Sequence, residues 1–290
     1  TGHSVMYCGA KPVFVDVDLA SYNMDPDLIE QKITKRTKAI IVVHALGQMA
    51  EMDRIMEIAK KHNLKIIEDA ACAFGAKYKN KPAGNYSDIA VFSFHARKNA
   101  TSGEGGIVVT NNEVYSETIK SLSCFGMESA FKRQGEFSIP SFEHLGFNYK
   151  LSDINAAIVI EQINKYDSFL IKKRELASHY NTLLRNNKYL TVPFECNNCF
   201  HIYQTYAIVL DEKINRNKLI LSMGQDKIQT QIGTYASYIQ PVYNSSDFCP
   251  NSLFLFNHSI ALPFYYELTE DQIKYVVERL ISNIDKQIND

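Results

Sequence analysis

Between residues 39 and 69 the chain runs from one apolar segment through an amphipathic helical stretch into a second apolar segment, and this alternation limits the fold more than any other feature. Residues 39–44 (AIIVVH) are almost wholly apolar and β-branched, the pattern of a strand covered on both faces in a parallel sheet. Residues 52–62 follow as an amphipathic helix, and residues 64–69 (LKIIED) as another strand. Upstream, residues 12–18 (PVFVDVD) read as a buried strand that exits into a loop. A helix is expected after it, with Asp25 as N-cap, Pro26 at the first helical position, and Leu28, Ile29 and Ile33 on one face. Strands and helices alternating in this way require crossover connections and an α/β layered domain. Two further apolar runs, 89–94 and 106–110, extend the sheet. Ligands of such sheets sit beyond the carboxyl ends of the strands. Asp69 and the segment after Phe94 therefore stand where chemistry is expected.

Beyond Leu151 a helix-compatible stretch runs to about Glu175, with Ile154, Ala157, Ile158, Ile163 and Tyr166 on its apolar side, and reads as a connector between domains. The remainder alternates short strands, such as 204–210, with helices at 216–223 and 269–284. The expected organisation is a large α/β domain over residues 1–165, with a mixed, mostly parallel sheet, and a smaller α+β C-terminal domain over 166–290. A formal net charge of -1 argues against a strong pull toward nucleic acid or an anionic membrane. No apolar run approaches the roughly 20 residues that span a bilayer, and no signal-peptide pattern opens the chain, so a cytoplasmic protein is expected. Six scattered cysteines in a chain of this length read as reduced thiols. Cys196, Cys199 and His201 alone have suggestive metal-ligand spacing; no second pair follows, and no metal is expected.

Two residues carry the chemical argument. Asp69 ends a strand inside EDAACAFG (68–75), where small residues after the acid leave room for a flat ligand. Lys98 lies in SFHARKNATSGEGG (93–106), a turn-rich segment between two strands. A lysine amine is a useful nucleophile toward aldehydes when its pKa is lowered by desolvation or nearby cations. An acid held against a pyridine nitrogen keeps that nitrogen protonated and makes the ring an electron sink. Singly, a strand-end Asp is more often a cap and a loop Lys a solvated charge. Their order, with Ser93 five residues before the lysine and GEGG shortly after it, is far more specific.

With these blocks, together with GAKPVFVD (9–16), GFNYKLSD (146–153) and LPFYYELT (262–269), the chain resembles the DegT-type (DegT/DnrJ/StrS) sugar aminotransferases of the aspartate-aminotransferase fold (fold type I) along essentially its whole length. The resemblance implies pyridoxal 5'-phosphate as cofactor and amino transfer from glutamate to a nucleotide-diphospho-keto-sugar, a nucleotide-linked keto-6-deoxyhexose. It implies that Lys98 bonds covalently to the cofactor and serves as general base, that Asp69 pairs with the ring nitrogen, and that Ser93 binds the phosphate. Asn148 matches an asparagine that reaches across a homodimer interface to the neighbouring subunit's phosphate, giving a shared active site. Lys150 stands where arginine is usual, which keeps charge but loses bidentate contact with substrate phosphate. Cys72 replaces the usual glutamine or histidine near the cofactor's phenolic oxygen with a weak donor. The family also has a preceding segment with a phosphate cup and a stacking aromatic, so the chain reads as lacking its front.

Glu104 is a turn residue or a substrate contact. Tyr235 and Tyr238, near QPVY (240–243), are candidates for the sugar pocket, although packing explains any single tyrosine. His44, His95 and His144 read as packing or hydrogen-bonding residues. Relatives that remove a hydroxyl carry histidine in place of the lysine, and Lys98 argues against that chemistry. The rival reading is a non-catalytic or truncated cofactor-binding relative with a regulatory or scaffold role.

Overall fold

A computed structural model of the chain describes residues 1–128 and 139–289. The strands Ala39–Val43, Lys65–Asp69 and Ile89–Ser93 lie side by side in parallel, and Gly106–Val109 closes the sheet antiparallel to Ile89–Ser93. The register pairs Val43 with Asp69 and Asp69 with Val91, so the acid stands level with the carboxyl end of the first strand and two residues before that of the third. Side chains alternate in a strand. Ile66, Glu68, Ala90 and Phe92 therefore face the core, while Asp69, Val91 and Ser93 share the opposite, less covered face. The expectation that residues 39–44 would be sealed on both sides is corrected accordingly: burial alternates along the strand, and Val43 is 40% exposed.

The helix Met52–Lys61 returns the chain between the first two strands and buries Met52, Ile55 and Ala59 against the sheet. Two upstream expectations fail. Residues 12–18 form no sheet strand; only the isolated bridge of Val17 with Met24 is present. Their polar groups are used elsewhere, because Asp16 accepts backbone N–H bonds from Asn251 (2.9 Å) and Ser252 (2.8 Å) and thereby caps the helix Pro250–His258 from far along the chain. The helix expected after Asp25 is two 3-10 turns, Pro26–Leu28 and Glu30–Lys32, although Asp25 does cap, accepting from the Asp27 N–H at 2.9 Å.

The long connector is two helices, Asp153–Asn164 and Tyr166–Leu184, that meet at Lys165. Ser152 caps the first by accepting from the Asn155 N–H at 3.2 Å. The apolar side proposed for this stretch faces largely outward: Ile154, Ile158 and Ile163 are exposed, whereas Val159 and Tyr166 are buried. The second half of the chain builds a four-stranded antiparallel sheet from Gln231–Ile232, Ser259–Ala261, Ala207–Leu210 and Leu190–Thr191, in that spatial order. Helices Arg216–Gln225 and Glu270–Asn289 and the C-terminal half of Tyr166–Leu184 enclose its core, centred on Leu176, Tyr180, Tyr206, Ile208, Leu219 and Leu280. Thr269 and Gln272 exchange side-chain to backbone bonds at the head of the last helix, a capping box. Among the described residues no helix is long and apolar enough to cross a membrane.

Candidate active site

The turn that leaves Asp69 is compact because it is built from alanine. Ala70, Ala73 and Ala76 are fully buried, and Gly75 (φ +87°) approaches the Tyr166 ring so closely that a Cβ would lie 2.8 Å from it. The Tyr166 hydroxyl donates to the Phe74 carbonyl at 2.6 Å and ties this turn to the connector helix. Asp69 Oδ1 accepts the Ala71 N–H at 3.2 Å, and Oδ2 accepts the Thr1 hydroxyl. One carboxylate oxygen is thus committed to the backbone, and the other is held only by the exposed Thr1 hydroxyl, which a ligand N–H would have to displace.

Behind Asp69 the sheet is fixed by a buried pair. His44 Nε2 and Glu68 Oε2 are 2.8 Å apart and both side chains are fully buried. His44 Nδ1 accepts the Ala50 N–H at 3.3 Å, so Nε2 carries the proton and donates. Glu68 also accepts from Gly84 N–H (3.0 Å), Tyr86 N–H (3.1 Å) and the Ser87 hydroxyl (2.7 Å). Burial, the largest single influence, raises its pKa, but His44 and these donors together outweigh it and hold the carboxyl below its ordinary value.

Lys98 reaches this turn from the next loop. Its Nζ lies 3.1 Å from Cys72 Sγ, which brings together the lysine and the segment three residues beyond Asp69. Ser93, on the same sheet face as Asp69, accepts the His95 N–H at 3.2 Å, and the Lys98 N–H bonds the His95 carbonyl at 2.9 Å. His95 Nδ1 accepts the Arg97 N–H at 3.2 Å, so His95 shapes the turn as expected of a hydrogen-bonding residue. The amide of Gln204 bonds the backbone on both sides of Lys98, donating to the Arg97 carbonyl (2.8 Å) and accepting the Asn99 N–H (3.1 Å). Sequence reasoning missed Gln204 and Asn99; more than a hundred positions separate them, and no local pattern links them.

The other expected residues stand further out. Glu104 is exposed, 3.6 Å from His95 Nε2, and its backbone carbonyl accepts from the Asn155 side chain at 3.0 Å. Asn148 and Lys150 bond one another on an exposed segment, where the Lys150 ammonium sits 4.2 Å above the Phe125 ring. Tyr235 is exposed beside Phe256, and no contact among the described residues joins it to Lys98 or Asp69. His144 lies on the same outward segment as Asn148. Among the described residues no three His, Cys, Asp or Glu side chains are arranged to hold a metal ion. His201 Nδ1 already accepts the Tyr203 N–H (3.0 Å), and burial pushes the Cys199 thiol up to about 12, with Cys196 adding to the shift.

The Lys98 amine meets the Cys72 thiol in the turn that follows Asp69, and Asp69 and Ser93 lie on one face near the carboxyl ends of adjacent strands of a mixed sheet, a donor set suited to a phosphorylated aromatic aldehyde. This architecture is that of the fold type I aminotransferases: the solved structure of Helicobacter pylori PseC, an aminotransferase involved in the biosynthesis of pseudoaminic acid, matches with a TM-score of 0.91 at 26% identity, over 99% of this chain and 77% of that one. The chain belongs to the DegT/DnrJ/EryC1/StrS aminotransferase family, whose model matches residues 1–281. That family comprises pyridoxal-phosphate-dependent sugar aminotransferases. GDP-perosamine synthase of Escherichia coli O157:H7 is 36% identical over 96% of this chain and 74% of its own length. The spore coat polysaccharide biosynthesis protein SpsC of Bacillus subtilis is 31% identical over 96% of this chain and 75% of its own.

Proposed function

We propose that the protein transfers an amino group from glutamate to the keto group of a nucleotide-diphospho-6-deoxyhexose, with pyridoxal 5'-phosphate held by Asp69, Cys72, Ser93 and Lys98. The observation that carries the reading is the 3.1 Å approach of Lys98 Nζ to Cys72 Sγ, next to the Asp69 turn, in a member of a sugar aminotransferase family. The kinship with GDP-perosamine synthase supports a nucleotide sugar as acceptor. When bound, the cofactor supplies an electron sink for the carbon that loses a proton. Asp69 keeps the ring nitrogen protonated, and the Ser93 hydroxyl donates to the phosphate. Lys98 would hold the cofactor through its aldehyde, and its amine would serve as the base that moves protons at the amino-bearing carbon. Cys72 offers only a weak donor to the phenolic oxygen.

Asn148 completes the phosphate site of a second copy in a homodimer, and Lys150 meets the substrate phosphates. Support comes from the outward display around them: Ile139, Phe142, Leu145, Phe147 and Ile154 are all exposed large apolar side chains, of the kind a subunit interface covers. Glu104 and Tyr235 contact the sugar. The functional division runs at residue 165, with the cofactor on the first part. In the test, protein mixed with pyridoxal phosphate develops the visible band of the lysine-bound cofactor, and Lys98→Ala loses it. Glutamate and a panel of nucleotide keto-sugars then yield a product of amino-sugar mass. A band that persists in Lys98→Ala, or no amination across the panel, defeats the proposal.

A further inference from the structure

We propose that Gln204 is a positioning residue for Lys98, an inference that rests on the role given to Lys98 above. The side-chain amide of Gln204 donates to the Arg97 carbonyl at 2.8 Å and accepts the Asn99 N–H at 3.1 Å. One planar group therefore grips the two peptide units that flank the lysine and leaves its ammonium to the Cys72 thiol. The Asn99 side chain adds a bond to the Ile202 carbonyl at 3.4 Å. Gln204 is in turn anchored from two directions. Ile202 N–H bonds the Gly47 carbonyl (3.0 Å), and Gly47, at φ +103°, lies so near that a Cβ would stand 2.8 Å from the Gln204 nitrogen. On its other side, Tyr203 and Tyr206 are buried in the second core. The amide thus transmits the rigidity of the Ala39–Val43 strand end and of the second core to a loop that is otherwise rich in Gly, Ser and Thr.

Only a group with one donor and one acceptor at fixed separation can make both bonds. Gln204→Glu keeps the acceptor for Asn99 and loses the donor to Arg97; Gln204→Met fills the space and loses both. A lysine whose Cα drifts still bonds the cofactor but holds its amine less well for proton transfer, and displacement of about 1 Å costs up to roughly 100-fold in rate.

The experiment uses the full chain loaded with pyridoxal phosphate. Gln204→Met is expected to lower kcat about 10- to 100-fold with the KM values little changed, to shift the pH midpoint of the visible band, and to speed deuterium exchange in residues 95–101. Gln204→Glu is expected to fall between it and wild type in all three. Wild-type kcat, midpoint and exchange in Gln204→Met overturn the proposal, as does a loss confined to melting temperature. Should Gln204→Met not fold, Gln204→Glu decides by the same three readings. If Lys98→Ala loses the band while both Gln204 variants behave as wild type, only the positioning role fails. If Lys98→Ala keeps the band, the role of Lys98 itself has failed.

Discussion

Both halves of the molecule bury ionisable side chains, but they do so on opposite terms. Behind the candidate site, Glu68 stays charged at no exposure because four donors converge on it, from His44, Gly84, Tyr86 and Ser87. In the second half, Lys173 is buried on the connector helix with its ammonium 4.1 Å over the Phe264 ring and a single 3.4 Å contact to the Phe264 carbonyl. Among the described residues no carboxylate pairs with it. Burial pushes Lys173 down to about 7. A buried charge with a full set of partners fixes geometry, as Glu68 does for the strand end that carries Asp69 and for the 84–87 loop. A buried amine without a counter-ion surrenders its charge, and the fold bears the cost.

The contrast is most easily broken at Glu68. Glu68→Ala leaves His44 and two backbone N–H groups buried without their acceptor, and unfolding by denaturant should show a loss of about 3–5 kcal/mol. A loss within experimental error would mean that water replaces the carboxylate, and that the pair does not stiffen the site. Lys173 tests the other side. Its folded pKa lies below the unfolded value of 10.5, so the unfolded chain binds more protons between pH 7 and 10.5. Stability therefore rises with pH across that window, and the penalty is complete below it. Lys173→Met should gain on the order of 3 kcal/mol at pH 7 and abolish the rise. If the methionine variant is less stable than wild type, the amine is held by more than the Phe264 contacts, and the comparison fails.

Which features could be read in advance follows from how locally each is determined. The strands at 39–43, 65–69 and 89–93 are short and densely apolar, and their pattern is set by their own neighbours. Lys98 and Asp69 could be singled out because each sits in a compact block with small and turn-forming residues beside it, and Cys72 because it stands where the resembled family has another residue; the structure brings Lys98 and Cys72 within 3.1 Å. Residues 12–18 misled because an extended segment docked on a helix terminus shows the same alternation as a strand; what decides is Asp16 meeting Asn251 and Ser252, a contact with no local trace. The connector misled in its orientation. Ile154 and Ile158 satisfy a helical period, but periodicity does not say whether the apolar stripe meets the chain's own core or another surface. Gln204 was invisible for the same reason as Asp16, since its partners are loops far away in sequence.

His201 sharpens the comparison from the junction of the two cores, where a third solution appears. Its ring stacks on Tyr203 at 4.1 Å between centroids, its Nδ1 accepts the Tyr203 N–H, and the Arg174–Glu195 ion pair lies alongside, with Arg174 donating to the His201 carbonyl at 2.7 Å. Burial is the main cause that lowers its pKa to about 4, against the partial relief offered by Glu195. Folded His201 is therefore neutral where unfolded histidine, with an ordinary value of 6.5, begins to take up a proton. As pH falls from 6.5 toward 4 the unfolded chain binds the extra proton, and stability drops; below about 4 both states are protonated and the loss is complete. Between pH 7 and pH 5 the expected loss is about 2 kcal/mol, the smallest effect of the three. His201→Asn keeps an acceptor for the Tyr203 N–H and cannot titrate, so the wild-type minus variant difference in unfolding free energy isolates this group from the carboxylates that titrate nearby. A difference that stays flat from pH 7 to pH 5 would mean that the ring is protonated in place and paired with Glu195, which would make the junction resemble Glu68 and its donors more than Lys173.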